Sequence, residues 1–160
     1  MRSLFTVLCA ASLAVSSASA QARKRASSDE AGQKELYAYV LSMDKIQKLS
    51  NATKGLNDLA KAHPEMKDEM KSDTLDGTVQ QLQKHPEVVA TLAKSGLTAR
   101  EYATGIMTLL QASIAVGFKK SGTYKEYPPD MLKLVSKENL DFVDQHYDEI
   151  HKLTESMTQQ

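Results

Sequence analysis

His-Pro-Glu occurs twice in this chain, as His63-Pro64-Glu65 and His85-Pro86-Glu87, and His146, Asp148, Glu149 and His151 cluster near the C-terminus in QHYDEIHKL. Imidazole and carboxylate are what a chain poor in thiols can offer zinc, iron or copper. Residues three apart share a helix face, so Asp148 with His151, or His146 with Glu149, could hold an ion between them. His85, His146, Glu149 and His151 are therefore the candidate ligands. A metal-binding protein or metal-dependent enzyme built on them is the alternative that the sequence leaves open. A di-iron bundle asks for more, two Glu-x-x-His helices and two further inward glutamates, and only one Asp-x-x-His is present here.

A structural reading of the same residues is preferred. Proline fits the first turn of a helix and an acid there meets the positive end of the helix dipole, so each His-Pro-Glu reads as a helix start. The last-helix histidines and acids read as the solvated side of an amphipathic helix. On this reading there is no catalytic residue and no cofactor. Other chemistries lack a signal as well: there is no Gly-x-Ser-x-Gly elbow and no glycine-rich phosphate loop. The methionines lack the dense Met-x-x-Met spacing of a copper site and read as core filling.

The N-terminus, MRSLFTVLCAASLAVSSASAQA, has one basic residue, an apolar run from Leu4 to Val15, and Ala18-Ser19-Ala20 before Gln21. This is the layout of a signal peptide over residues 1–20, and it predicts a secreted or periplasmic protein. The run is about twelve residues, against roughly 20 for a membrane span. No stable span is expected after cleavage. Arg23-Lys24-Arg25 opposes transfer of the adjoining chain and keeps an uncleaved anchor as the alternative. The single cysteine, Cys9, leaves with the signal, which removes disulfides, thiolate nucleophiles and cysteine-held metals together. A lipid on Cys9 is disfavoured by Leu8 before it and the few apolar residues upstream.

The charge is balanced, 20 Lys+Arg against 20 Asp+Glu, and there is no tryptophan. Neither fact points to nucleic acid or to an anionic membrane. The expected partner is a protein or a small-molecule ligand.

Residues 21–30 read as a disordered leader. Leu36, Tyr39, Val40, Met43, Ile46, Leu49, Leu56 and Leu59 recur at helical steps, predicting one helix over 31–62, capped by Ser28 or Asp29 and bent by Gly55. Residues 64–73 form a charged connection. A short helix is expected over 74–84, and Pro86 starts another with Val88, Val89 and Leu92 buried. Gly96 can close that helix in the left-handed conformation, and Thr98-Ala99-Arg100-Glu101 matches a capping box. Tyr102 to Phe118 carries no charge and is apolar on more than one face, so this helix is expected at the centre. The long connection 119–136, with one turn near Met131 to Val135, is the expected binding edge. A last helix is expected over 137–157. Together these predict an all-α fold, a single-domain helical bundle of four to five helices around a central apolar helix, spanning residues 31–157.

Two segments carry a resemblance. Pro86 to Tyr102 holds a Gly-Leu-[Ser/Thr]-x-x-[Glu/Asp]-Tyr turn at Gly96 to Tyr102, and Asn139 to His146 matches Asn-x-x-Phe-x-x-x-[His/Asn]. In these the chain resembles a group of uncharacterised small secreted bacterial proteins. The resemblance implies secretion and an all-helical fold, and brings no activity with it.

Overall fold

The computed structural model describes residues 29–64 and 72–158. The expected signal peptide, most of the leader and most of the charged connection lie outside the described residues. Every regular element among the described residues is an α-helix. In chain order these are α1 (29–38), α2 (Met43–Ala62), α3 (Leu75–Gln83), α4 (Pro86–Lys94), α5 (Ala99–Lys120), α6 (Pro129–Leu134), α7 (Lys137–Gln145) and α8 (Tyr147–Thr158). Residues 29 and 30, expected in the leader, already belong to α1.

The helix expected over 31–62 is broken in two at residues 39–42. Ser42 caps α2, its hydroxyl accepting from the Lys45 N–H at 3.4 Å. The chain ahead of it is held by Asn139, a fully buried side chain on α7. Its Oδ1 accepts from the Leu41 N–H at 2.8 Å, and its Nδ2 donates to the Tyr39 carbonyl at 2.6 Å. Backbone groups that a continuous helix would have paired internally are thus paired by one distant amide. Gly55 does not end or break α2. A Cβ there would stand 2.8 Å from Thr91 Cγ2, so Gly55 marks where α4 crosses α2.

Thr74 caps α3 through the Gly77 N–H at 3.0 Å. Pro86 opens α4, and Gly96, at φ 72°, closes it. The Leu97 N–H donates to the Leu92 carbonyl and the Gly96 N–H to the Ala93 carbonyl, the paired bonds of a Schellman ending. The expected capping box then starts α5: Glu101 Oε2 accepts from the Thr98 N–H at 2.9 Å, and Thr98 Oγ1 from the Glu101 N–H at 3.1 Å. On α4, Val88 and Leu92 are buried, but Val89, expected beside them, is exposed.

Helix α5 packs against α2, α3, α4 and α7, and α2 packs also against α4 and α8. Small residues let these helices approach: a Cβ on Gly105 would stand 3.0 Å from both Leu49 methyls and from the Tyr39 hydroxyl. Ile46, Leu49, Leu109 and Leu140 are fully or almost fully buried, each worth about 1.5–3 kcal/mol over its exposed state. The expectation that α5 sits at the centre holds for most of its surface, with helices packed around it, but one strip is left uncovered, where Leu110, Ile114 and Phe118 are 60%, 48% and 44% exposed.

The last helix is likewise divided, at His146 (φ −104°, ψ 19°). Helical hydrogen bonding continues through the bend, from the His146 N–H to Phe142 and from the Ile150 N–H to His146. The bend turns the chain from α5, on which α7 packs, towards α2, on which α8 packs. No helix among the described residues is long and apolar enough to cross a membrane.

Candidate functional site

Of the four candidate ligands the structure brings His146 and Glu149 together, while His85 and His151 each sit beside a different carboxylate. His85 holds the N-cap position of α4 with Nδ1 4.0 Å from Glu87 Oε1. His146, at the bend, has Nδ1 3.8 Å from Glu149 Oε2 and its ring 4.8 Å from that of Phe142. His151 turns to Glu155 Oε1, 3.3 Å away, rather than to Asp148, and its ring faces Tyr147 at 5.8 Å. Among the described residues no three His, Cys, Asp or Glu side chains are placed to share an ion. His63 ends α2, while Glu65 lies outside the described residues.

Arg100 and Tyr102, to which the sequence assigns no role, connect helices. The Arg100 guanidinium grips Glu35 of α1 through Nε and Nη2, at 3.0 and 2.6 Å, and donates from Nη1 to Asp76 of α3 at 3.0 Å. Thr104 adds a hydrogen bond to Glu35 at 3.1 Å. The Arg100 hydrogen bonds, helped by Thr104, hold the Glu35 carboxyl below its ordinary range. Tyr102 is largely buried, which pushes its phenol up, and its hydroxyl meets Thr53 Oγ1 at 3.0 Å.

A second ionic brace sits where the 119–136 segment leaves α5. Asp144 accepts from Lys119 Nζ at 2.8 Å and pairs with Lys120 Nζ at 2.9 Å, contacts that lower its carboxyl. Lys119 also lies 4.8 Å from the centre of the Tyr127 ring. The segment is therefore tied at its start to α7. Its helical turn, α6, comes against α1, where Gln33 Nε2 donates to the Leu134 carbonyl at 3.0 Å.

Between α1 and α6 this leaves an open depression of about 430 Å³ lined by Glu30, Gln33, Lys34, Tyr37, Leu132 and Lys133. Tyr37 and Leu132 are exposed within it, and Leu134 is exposed nearby. The rim charges are locally matched, Lys34 to Glu30 and Lys133 to Asp130, each at 2.8 Å. The arrangement offers apolar contact framed by charges of both signs and one amide. Sequence periodicity places Leu132 and Leu134 near a helical turn. It does not show that Tyr37, on another helix, stands across from them.

A narrower groove of about 200 Å³ lies between α5 and the C-terminal helices, lined by Ser113, Ile114, Val143, Tyr147, Ile150, His151 and Thr154. It borders the exposed side of α5. No protein-family model matches this chain, and no match is found among curated proteins or solved structures.

Proposed function

We propose that this is an exported, non-enzymatic helical protein that acts by binding, and that the depression between α1 and α6 is its contact site. The reading rests on the signal-like N-terminus and on the all-helical fold, which we read as a bundle of four to five helices by counting α1 with α2 and α7 with α8 as broken single helices, setting the short α6 aside, and taking α3 and α4 as one helix or two. The observation that carries it is the convergence of Tyr37 and Leu132 on one depression of about 430 Å³. That volume falls within the roughly 300–1,000 Å³ of ligand sites. Its openness and its charged rim suit an apolar segment of a protein partner better than an enclosed small molecule. Positioning is supplied by the Gln33 bond to Leu134 and by the Asp144 brace at the other end of the segment.

The test is to isolate the protein with its partner from the compartment to which it is exported, beside a Tyr37→Glu/Leu132→Glu variant. Both side chains are exposed, so circular dichroism and melting should be unchanged while the partner is lost. A partner retained at wild-type level by the folded variant would refute this siting.

A further inference from the structure

We propose that α6 is a latched strap: its last turn swings off α1 when the hydrogen bond from Gln33 to Leu134 breaks, and the α1/α6 depression receives its partner in that open state. The second half of this proposal rests on the siting proposed above, and the first half does not.

The strap is moored firmly at both flanks and loosely between them. Ahead of it, Lys119 and Lys120 are tied to Asp144, and Tyr127 packs against the core. Behind it, Val135 is 2% exposed, and the Ser136 hydroxyl caps α7 by accepting from the Asn139 N–H at 3.3 Å. Between these posts the six residues of α6 bury no side chain. A helix so short has little stability of its own without packing. Its charges are matched internally, Lys133 to Asp130 within α6 and Lys34 to Glu30 within α1. Among the described residues, the hydrogen bond that crosses between the two helices is the one from Gln33 Nε2 to the Leu134 carbonyl, at 3.0 Å and exposed.

The backbone decides which end moves. Pro129 opens α6, and both Tyr127 and Pro128 precede a proline. A following proline holds a residue extended, and proline fixes its own φ, so the first turn has little freedom. Pro128 conforms, at φ −59° and ψ 147°. At the far end Leu134 is 45% exposed, while its neighbour Val135 is anchored. Leu134 can leave α1 only by rotation between these two residues. That rotation opens the turn closed by the Val135 N–H and the Met131 carbonyl at 3.0 Å. Leu132 lies in the same turn, so the apolar wall across from Tyr37 is the wall that swings. Opening gives up one exposed hydrogen bond and the contacts of a part-exposed leucine, which suits a minor open state of about 0.1–10%.

Hydrogen exchange of the protein as purified after export tests the strap without a partner. An open fraction of about 0.1–10% slows the Val135 amide by only about 10- to 1,000-fold. The Leu140 amide, bonded to the Ser136 carbonyl on α7, should be slowed several thousandfold or more. In sub-denaturing urea Leu140 should speed up steeply and Val135 hardly at all, because opening one turn exposes little surface. Gln33→Ala should speed Val135 about two- to tenfold within that urea-independent regime. The link to the depression is read with the apolar dye 8-anilinonaphthalene-1-sulfonate. Its affinity should rise in Gln33→Ala by the same factor, since apparent affinity follows the competent fraction. The rise should vanish when Tyr37→Glu/Leu132→Glu is added. A Val135 amide protected as strongly as Leu140, or unmoved by Gln33→Ala, overturns the strap. A faster Val135 with no gain in dye affinity overturns the gating, while the siting itself is judged separately by the partner test above.

Discussion

Asn139 gives the sharpest quantitative prediction. Its amide satisfies the Leu41 N–H and the Tyr39 carbonyl, at 2.8 and 2.6 Å, from a fully buried position. Truncation in Asn139→Ala strands a buried donor, which costs about 1–3 kcal/mol, and a half-buried acceptor, which costs less. The void left by the amide adds to this, for a total of about 2–5 kcal/mol. At roughly 4 °C per kcal/mol for a chain of this size, the melting temperature should fall by roughly 8–20 °C. Asn139→Asp separates the two bonds. The ionised carboxylate still accepts from Leu41 but faces the Tyr39 carbonyl with no proton to donate; protonated, it can make both bonds. Its pKa in the folded protein is therefore raised above the unfolded value. The deficit relative to wild type should be smallest below about pH 4 and should grow as pH rises through the raised value. Urea melts of wild type and both variants at pH 4 and pH 7 measure this. A truncated variant within about 0.5 kcal/mol of wild type, or an aspartate variant whose deficit ignores pH, would refute the clamp.

Other positions yield shorter predictions. Gly55→Ala drives a Cβ to within 2.8 Å of Thr91 Cγ2, whose rotamer is held by the Thr91 hydroxyl bond to Glu87; a loss of about 1–2 kcal/mol is expected, restored by adding Thr91→Ser. Thr98→Ala removes half of the capping box and should cost about 1 kcal/mol in a chemical melt. The carboxyls of Glu35, Glu101 and Asp144 are all lowered in the fold, chiefly by hydrogen bonds from Arg100, Thr98 and Lys119 respectively. Their stabilisation is present above the ordinary carboxylate range and is lost as pH falls through the lowered values. Asp144→Asn should thus be less stable than wild type at pH 6 and should lose less on going to pH 3. Because His146 and His151 face Glu149 and Glu155 separately, zinc or a chelator should leave the melting temperature within about 1 °C, roughly the effect of a few tenths of a kcal/mol.

The sequence conveyed the helices whose ends are written in local chemistry. Proline at the start of α4, glycine at its end, and the Thr98/Glu101 box act within a few residues, so their geometry follows from spacing alone. The breaks at residues 39–42 and at His146 are written less plainly: Ser42 caps α2 locally, but nothing nearby in the sequence stops the helical periodicity before it. The first depends on Asn139, 98 positions from Leu41, and the second on which helix each half packs against. The exposed side of α5 was hidden for a related reason: periodicity reports that a face is apolar, not whether the chain has another helix to cover it. At the α1/α6 depression the segment 119–136 could be singled out by its length, but Tyr37 could not, because its exposure depends on where α6 comes to rest.

The residues that carry the resemblance turn out to be occupied with folding. Gly96 holds the left-handed turn, Thr98 and Glu101 cap α5, the Tyr102 hydroxyl meets Thr53, and Asn139 clamps the α1/α2 break. Phe142 and His146 stack at the bend. A motif made of such positions specifies an architecture and constrains its surface little. On the proposed binding reading, recognition rests on side chains the motif leaves free, and the exposed apolar ones gather in part on two faces. Tyr37 and Leu132 flank one, and Leu110, Ile114 and Phe118 line the other. Chains sharing the motif but carrying charge at positions 37 and 132 should keep the fold and lose the binding. Exchanging the two side chains between two such chains would move binding without moving the melting temperature.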